Sequence, residues 1–439
     1  MTPIVVAIAL FVLLTWQSLR LLKHKRYVIL LIWPAFIYVI GPAATLLFAE
    51  HPVLAAYVDE QRLTAQTLLM GWYLLLLVAA DHAFGLSESL RRALQGAALG
   101  RLSSSPAFPA VYLFAALAAS TLQVYTLLNF GSIFTGSYIL EDAAEGLIPY
   151  WGFLAGLYEI VFLCFILALS GTRPSKWLWT IYVGLYVSTT LLRVLGGTRL
   201  ILIKELAFML LLFYLRGTIK ARQLLIVGAL VVAAGSAVGL LRSGGGDENN
   251  TFLGPLYGLV MESALNALTL GIADQINQSG AVSRDADTWK SVVFFVVSVV
   301  PSFLRFGFDE ADLMAISPYN LALRAGFDTS APVGGMSGFA TIEYLSAYPH
   351  IFLLLMVVLF AASLRIMRNS AFKQMLALVI VINAIHFWRD PADIALKLLV
   401  QGLLICSLFH FVSKRSGRRV TPFSPPSARN LVPVPALAR

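Results

Sequence analysis

The chain has 439 residues, of which 59% are hydrophobic and 13% charged, with a net charge of +9 and a mean hydropathy of +0.80. A water-soluble protein of this size needs many more surface charges, so the composition excludes a soluble multidomain enzyme. The positive balance is the one expected of a membrane protein, whose cytoplasmic loops collect Lys and Arg, and a nucleic-acid partner is not expected.

The apolar residues fall in blocks close to the ~20 residues that a helix needs to cross hydrocarbon. Backbone groups in that layer must pair internally, so the blocks are helices. In chain order the predicted spans are 2–22, 27–49, 63–84, 107–129, 148–170, 177–196, 199–216, 223–241, 351–367, 374–388 and 397–413. The first has no basic residue before it and no small-residue cleavage site after it, and reads as a retained span. Two weaker stretches, 252–273 and 289–304, have outward-facing sequence on both sides, so the total is 11 or 13 crossings. The expected fold is an all-α polytopic bundle: one transmembrane domain over 1–413, with outer loops 242–290 and 305–350. A basic, Pro- and Ser-rich tail, 414–439, reads as a disordered cytoplasmic end.

Loop charge alternates. Lys23, Lys25 and Arg26, then Arg91, Arg92 and Arg101, then Arg173 and Lys176 mark cytoplasmic loops. Arg216, Lys220 and Arg222, then Arg365, Arg368 and Lys373, then Lys414, Arg415, Arg418 and Arg419 continue the pattern. The loops between carry Asp59 and Glu60, or Glu141, Asp142 and Glu145, and face outward. The N-terminus is therefore expected outside and the C-terminus inside. Cys164 and Cys406 both lie in apolar blocks and read as buried small hydrophobes.

Six arginines break the charge rule. Arg193, Arg199, Arg242, Arg305, Arg324 and Arg389 fall on the outward side or at outer helix ends, with only Lys290 and Lys397 beside them. The planar guanidinium matches phosphate oxygens in pairs, where lysine offers a point charge. An outward arginine group therefore suits a lipid pyrophosphate, although each can also snorkel from a helix end or pair with a carboxylate. In Leu192-Arg193-Val194-Leu195-Gly196-Gly197-Thr198-Arg199, two glycines make a tight outer turn before a helix N-terminus, a setting that favours an anion. Lys204 and Glu205 follow about a turn inside, where a salt bridge and a substrate site explain them equally well.

The outer loop 305–350 holds Asp309, Glu310 and Asp312, then the Gly-rich run Val333-Gly334-Gly335-Met336-Ser337-Gly338, then Glu343. Its apolar and aromatic content points to an ordered cap. A third patch, Trp388-Arg389-Asp390-Pro391-Ala392-Asp393, follows the span that carries His386. Asp309-Glu310-Ala311-Asp312 spells a helicase signature without its companions, and Asp285-Ala286-Asp287 resembles a metal-binding acidic pair without its strand context. Both read as solvated loop. With no zinc spacing and no phosphate-binding glycine loop, neither metal nor cofactor is expected.

The segment Leu192–Arg199 is similar to the Gly-Ser/Thr-Arg turn that opens a central apolar helix in the Wzy-type O-antigen and exopolysaccharide repeat-unit polymerases. Leu240-Leu241-Arg242-Ser243, Val300-Pro301-Ser302-Phe303-Leu304-Arg305, Gly334-Gly335-Met336-Ser337 with Glu343, and Arg389-Asp390-Pro391 resemble further short segments of that family. The likeness covers 190–395, and Arg324 with Gly335 keeps an Arg-x10-Gly spacing described for some members. Arg193 and Arg199 do not show that spacing, and Pro301 and Arg305 are separated where the family often has them adjacent.

The resemblance implies a GT-C-like fold in the bacterial inner membrane and metal-independent glycosyl transfer on the periplasmic face. The donor would be a polyprenyl-pyrophosphate glycan and the acceptor a sugar hydroxyl of another lipid-linked unit. Membrane lipids, a chain-length regulator and a flippase would be its partners. Arginines can offset the developing pyrophosphate charge, and a carboxylate or histidine can accept the proton. On this reading Arg199 and Arg324 lead in pyrophosphate binding, followed by Arg193, Arg242, Arg305 and Arg389. Glu343, at the mouth of a helix, is the expected base, with His386 and Asp390 as rivals. An O-antigen ligase, a polysaccharide or lipid transporter and a structural export subunit stay open as alternatives.

Overall fold

The computed structural model describes residues 2–48, 58–130, 151–170, 175–195, 199–242, 337–346, 348–368, 370–390 and 392–415, with a few positions between 264 and 293. The described residues form helices and no strand. The long helices are α1 (Thr2–Lys23), α5 (Glu60–Phe84), α8 (Ala107–Phe130), α9 (Trp151–Ser170), α10 (Lys176–Leu195), α11 (Arg199–Leu215), α12 (Ala221–Arg242), α14 (Pro349–Ile366), α15 (Ala371–Ile382) and α17 (Ala392–Arg415). Shorter ones are α2 (Ile29–Ile32), α3 (Ala35–Tyr38), α4 (Gly41–Ala44), α6 (Leu86–Leu94), α7 (Ala97–Ser103), α13 (Gly338–Leu345) and α16 (Ala384–Arg389). Each of the eleven firmer predicted spans coincides with helix, those at 27–49 and 374–388 in pieces. The weaker stretches 252–273 and 289–304 fall mostly outside the described residues, as do the loop 305–336 and the tail from 416.

Six of the helices, α1, α5, α8, α10, α14 and α17, are long and apolar enough to cross a membrane. Their exposed faces are also apolar. Only 22% of the spanning window of α1 is buried, and Val5, Ile8, Val12, Trp16 and Leu19 line one exposed face at helical spacing. Leu128, Trp177 and Ile366 are each about 80% exposed. Stripes of this size belong to a surface that meets lipid rather than water, so the chain is a multi-pass helical membrane protein.

The segment 29–48 is the reverse case, buried on nearly every side from Tyr27 to Val39. Pro34 lacks an amide proton and Pro42 opens the next turn, so the path splits into α2, α3 and α4. Helical backbone angles persist at the junctions, with 3₁₀-type bonds such as Leu31 N to Val28 O at 2.9 Å. All-round burial marks this segment as a central element rather than a lipid-facing one.

The basic loops gather at one end of the bundle. Asp81, 3% exposed, accepts from Ser87 N at 2.6 Å, Ser87 Oγ at 3.1 Å and Arg26 Nε at 2.9 Å. Ser87 Oγ in turn accepts from Val28 N at 3.0 Å, so one carboxylate ties the start of the central segment to the α5–α6 corner. That corner turns at Gly85, whose φ of 64° suits a residue without Cβ. Arg216 donates to Leu94 O and Ser170 Oγ, and Arg365 to Ala83 O. On α6 the bonded Arg91 and Arg92 lower the Glu88 carboxyl to about 2, and this exposed group stays ionised with its charge compensated.

At the opposite end α15 breaks at Asn383, whose Nδ2 bonds back to Val379 O at 2.9 Å. The break re-aims α16 and with it His386. Rings of Tyr73, Phe339, Phe387 and Trp388, with centroids 4.6 to 5.8 Å apart, clamp α16 against α5 and α13. Gly338 permits that approach, since a Cβ there would meet the Phe387 carbonyl at 2.7 Å.

Replacing Asp81 by Ala strands the Ser87 amide and the Arg26 guanidinium. Thermal unfolding in mild detergent should show a loss of about 2–3 kcal/mol, and Asp81→Asn should retain part of it.

Candidate functional site

Four helices bring charged side chains together inside the bundle, at the end remote from the basic loops. Lys204, on α11, is 2% exposed and donates to both oxygens of Glu159 on α9, at 2.7 and 2.8 Å. Its third contact is His386 Nε2 on α16, at 2.6 Å. The other ring nitrogen, Nδ1, bonds Asp390 Oδ2 at the end of α16. With the ammonium as donor, Nε2 accepts and the ring proton sits on Nδ1, held by the Asp390 carboxylate.

A second limb runs from Arg193, near the end of α10. Its guanidinium reaches Glu205 Oε1 at 3.4 Å and Glu159 Oε1 at 3.9 Å, and its flat face lies 4.2 Å above the Tyr158 ring centroid. Tyr186 OH donates to Glu205 Oε2 at 2.7 Å, and Tyr158 OH to Gln123 Oε1 at 2.6 Å. Arg193, Lys204 and Glu205 are each at most 7% exposed. Along α11, Lys204 sits about 18 Å from Arg216 at 1.5 Å per residue, well within the ~30 Å of hydrocarbon. Charges at that depth persist only when paired, and here each carboxylate meets a cation: Glu159 with Lys204, Glu205 with Arg193 and Asp390 with Arg389.

The expected site residues divide into groups. Arg193, His386 and Asp390 meet in this network, and Arg389 lies beside it, 3.7 Å from Asp390. Arg193 is engaged by carboxylates and a ring, the structural role that stood beside its phosphate-binding role. Glu343 lies on the half-buried side of α13, which packs against α16 and α17. Arg199 opens α11 and Arg242 closes α12, but their side chains lie outside the described set, as do Arg305 and Arg324 altogether. The sequence reading passed over Glu159, although an ionisable residue inside an apolar span is itself a signal of function. Tyr158, Tyr186 and Gln123 were also missed, and nothing in their spacing marks them.

Among the described residues no three His, Cys, Asp or Glu side chains converge on a point where a metal could bind. Compared with protein-family models, characterised proteins and solved structures, the chain matches none.

The pairing predicts strong coupling. Lys204→Met leaves Glu159 buried without its main counter-charge and should cost about 3–5 kcal/mol in unfolding free energy. The double variant with Glu159→Gln should cost clearly less than the sum of the single changes. Additive losses in that cycle would mean that the two residues act independently.

Proposed function

We propose that the protein polymerises polyprenyl-pyrophosphate-linked oligosaccharide repeat units on the periplasmic face of a bacterial inner membrane, with its N-terminus outside and its C-terminus inside. The observation that supports this reading best is the imidazole of His386, oriented by Asp390 and set among Lys204, Arg193 and Arg389. Glycosyl transfer needs a base for the acceptor hydroxyl and cations for the leaving pyrophosphate. The acceptor oxygen forms a bond to the anomeric carbon of the donor as the bond from that carbon to phosphate oxygen breaks. The hydroxyl proton passes to His386 Nε2 once the acceptor displaces Lys204 from that nitrogen. Freed from the ring, Lys204 joins the outward arginines in offsetting charge on the departing polyprenyl pyrophosphate. Asp390 is a positioning residue for the ring.

A second reading has its own observation. The unbroken chain Asp390–His386–Lys204–Glu159–Arg193–Glu205, buried at membrane depth, has the make-up of a proton relay in an ion-coupled transporter. A ligase that transfers the same donor to a different acceptor is the nearest alternative within glycosyl transfer.

Deleting the gene should leave surface glycan as single repeat units. Absence of any attached glycan would indicate the ligase, and unchanged glycan would remove both readings. In purified protein with lipid-linked substrate, His386→Asn should lower turnover roughly 100- to 10,000-fold while donor binding is kept. Glu343→Gln should retain turnover if His386 is the base. Arg199→Lys should stay impaired if phosphate is held by the guanidinium fork. Tyr348, 70% exposed at the start of α14, should as Tyr348→Cys react with an impermeant maleimide from the periplasm only.

A further inference from the structure

A cleft on the flank of the bundle, between α9, α15 and α17, reaches the network from the side. It encloses about 20 Å³ of room and opens at its mouth, which is space for one water-sized group such as a hydroxyl. Three polar side chains face it: Glu159, Asn383 and Gln401. Asn383 Oδ1 is buried and accepts no hydrogen bond among the described residues, while its Nδ2 is committed to Val379 O. A buried amide oxygen left unpaired in this way costs free energy and calls for a donor.

The chemistry of that donor follows from the walls. No Lys or Arg lines the cleft among the described residues, so an anion has no counter-charge there. Its one acid, Glu159, is already neutralised by Lys204, so a cation has no vacant partner. A neutral group that both donates and accepts fits, with Asn383 Oδ1 as acceptor and the Gln401 amide as either. The mouth is lined by half-buried Ile160, Leu398 and Ile405, which suits a ligand carried on a lipid chain. We infer that this cleft is a lateral slot for a single hydroxyl of an uncharged sugar residue on a lipid-borne glycan, delivered beside Glu159, with any charged part of that lipid left outside the slot. The role of the slot as the acceptor's route rests on the proposed glycosyl transfer, but binding there does not.

Gly156 offers a probe position, since a Cβ on it would find only Gln401 Oε1, at 3.9 Å. Full-length protein carrying Gly156→Cys, reconstituted in nanodiscs, is alkylated with N-ethylmaleimide and read by peptide mass, which separates the buried Cys164 and Cys406. Submicellar octyl glucoside should slow alkylation several-fold, octyl phosphate and octyltrimethylammonium should not, and Asn383→Leu should abolish the protection. Equal slowing by all three amphiphiles would mean that only the alkyl chain binds, and would overturn the inference. No slowing by the glucoside, or a thiol that never reacts, would overturn it as well. Gly156→Leu, which fills the slot, should abolish polymer formation at unchanged protein level. Normal polymer from that variant would overturn the acceptor route while leaving the glycosyl-transfer reading intact. Unchanged glycan on gene deletion would overturn that reading while the alkylation result stands.

Discussion

The ammonium of Lys204 is the interaction on which the upper half of the bundle depends. It is only 2% exposed, and it uses its three protons on two oxygens of Glu159 and one nitrogen of His386. Those bonds join α9, α11 and α16, which are far apart in sequence. Removing one partner would leave a charge in a low-dielectric interior, so the network forms as a unit or not at all. Arg193 and Glu205 extend it from α10 to α11. Aromatic packing of Phe387 and Trp388 on Tyr73 holds α16, the helix that carries the imidazole.

The two ends of the bundle solve the same electrostatic problem differently. At the basic end, cations pair near the surface: Arg26 with Asp81, Arg91 and Arg92 with Glu88. Most of these cations stay partly exposed, where headgroups and water can share the charge. At the other end the paired cations are themselves buried. Order of that kind is what a site needs if its groups must hold position before a ligand arrives.

Much of this architecture was legible in the sequence. Apolar blocks located the helices because hydrocarbon leaves the backbone no other option. His386 and Asp390, four residues apart, could be expected on one helix face. Lys204 and Glu205 announced that partners must exist, but not which. That Lys204 meets Glu159, 45 residues away, depends on how α9 packs on α11, which no local pattern encodes. Asn383 shows the same limit. In sequence it is one polar residue in an apolar run, and only the structure shows that it interrupts the helix and turns a carbonyl oxygen into a cleft.

The broken central segment bears on how the protein is made. Prolines at 34 and 42 leave carbonyls in α2–α4 without their usual amide partners, and lipid offers none. An isolated stretch 27–48 is therefore a poor resident of the bilayer while the ribosome is still delivering the rest. It gains its cover from α1 on one side and from α5 and α11, which emerge later, on the other. Insertion of this chain is accordingly not a string of independent helix transfers. The second segment completes its cover only when α5 and α11 are in place beside it.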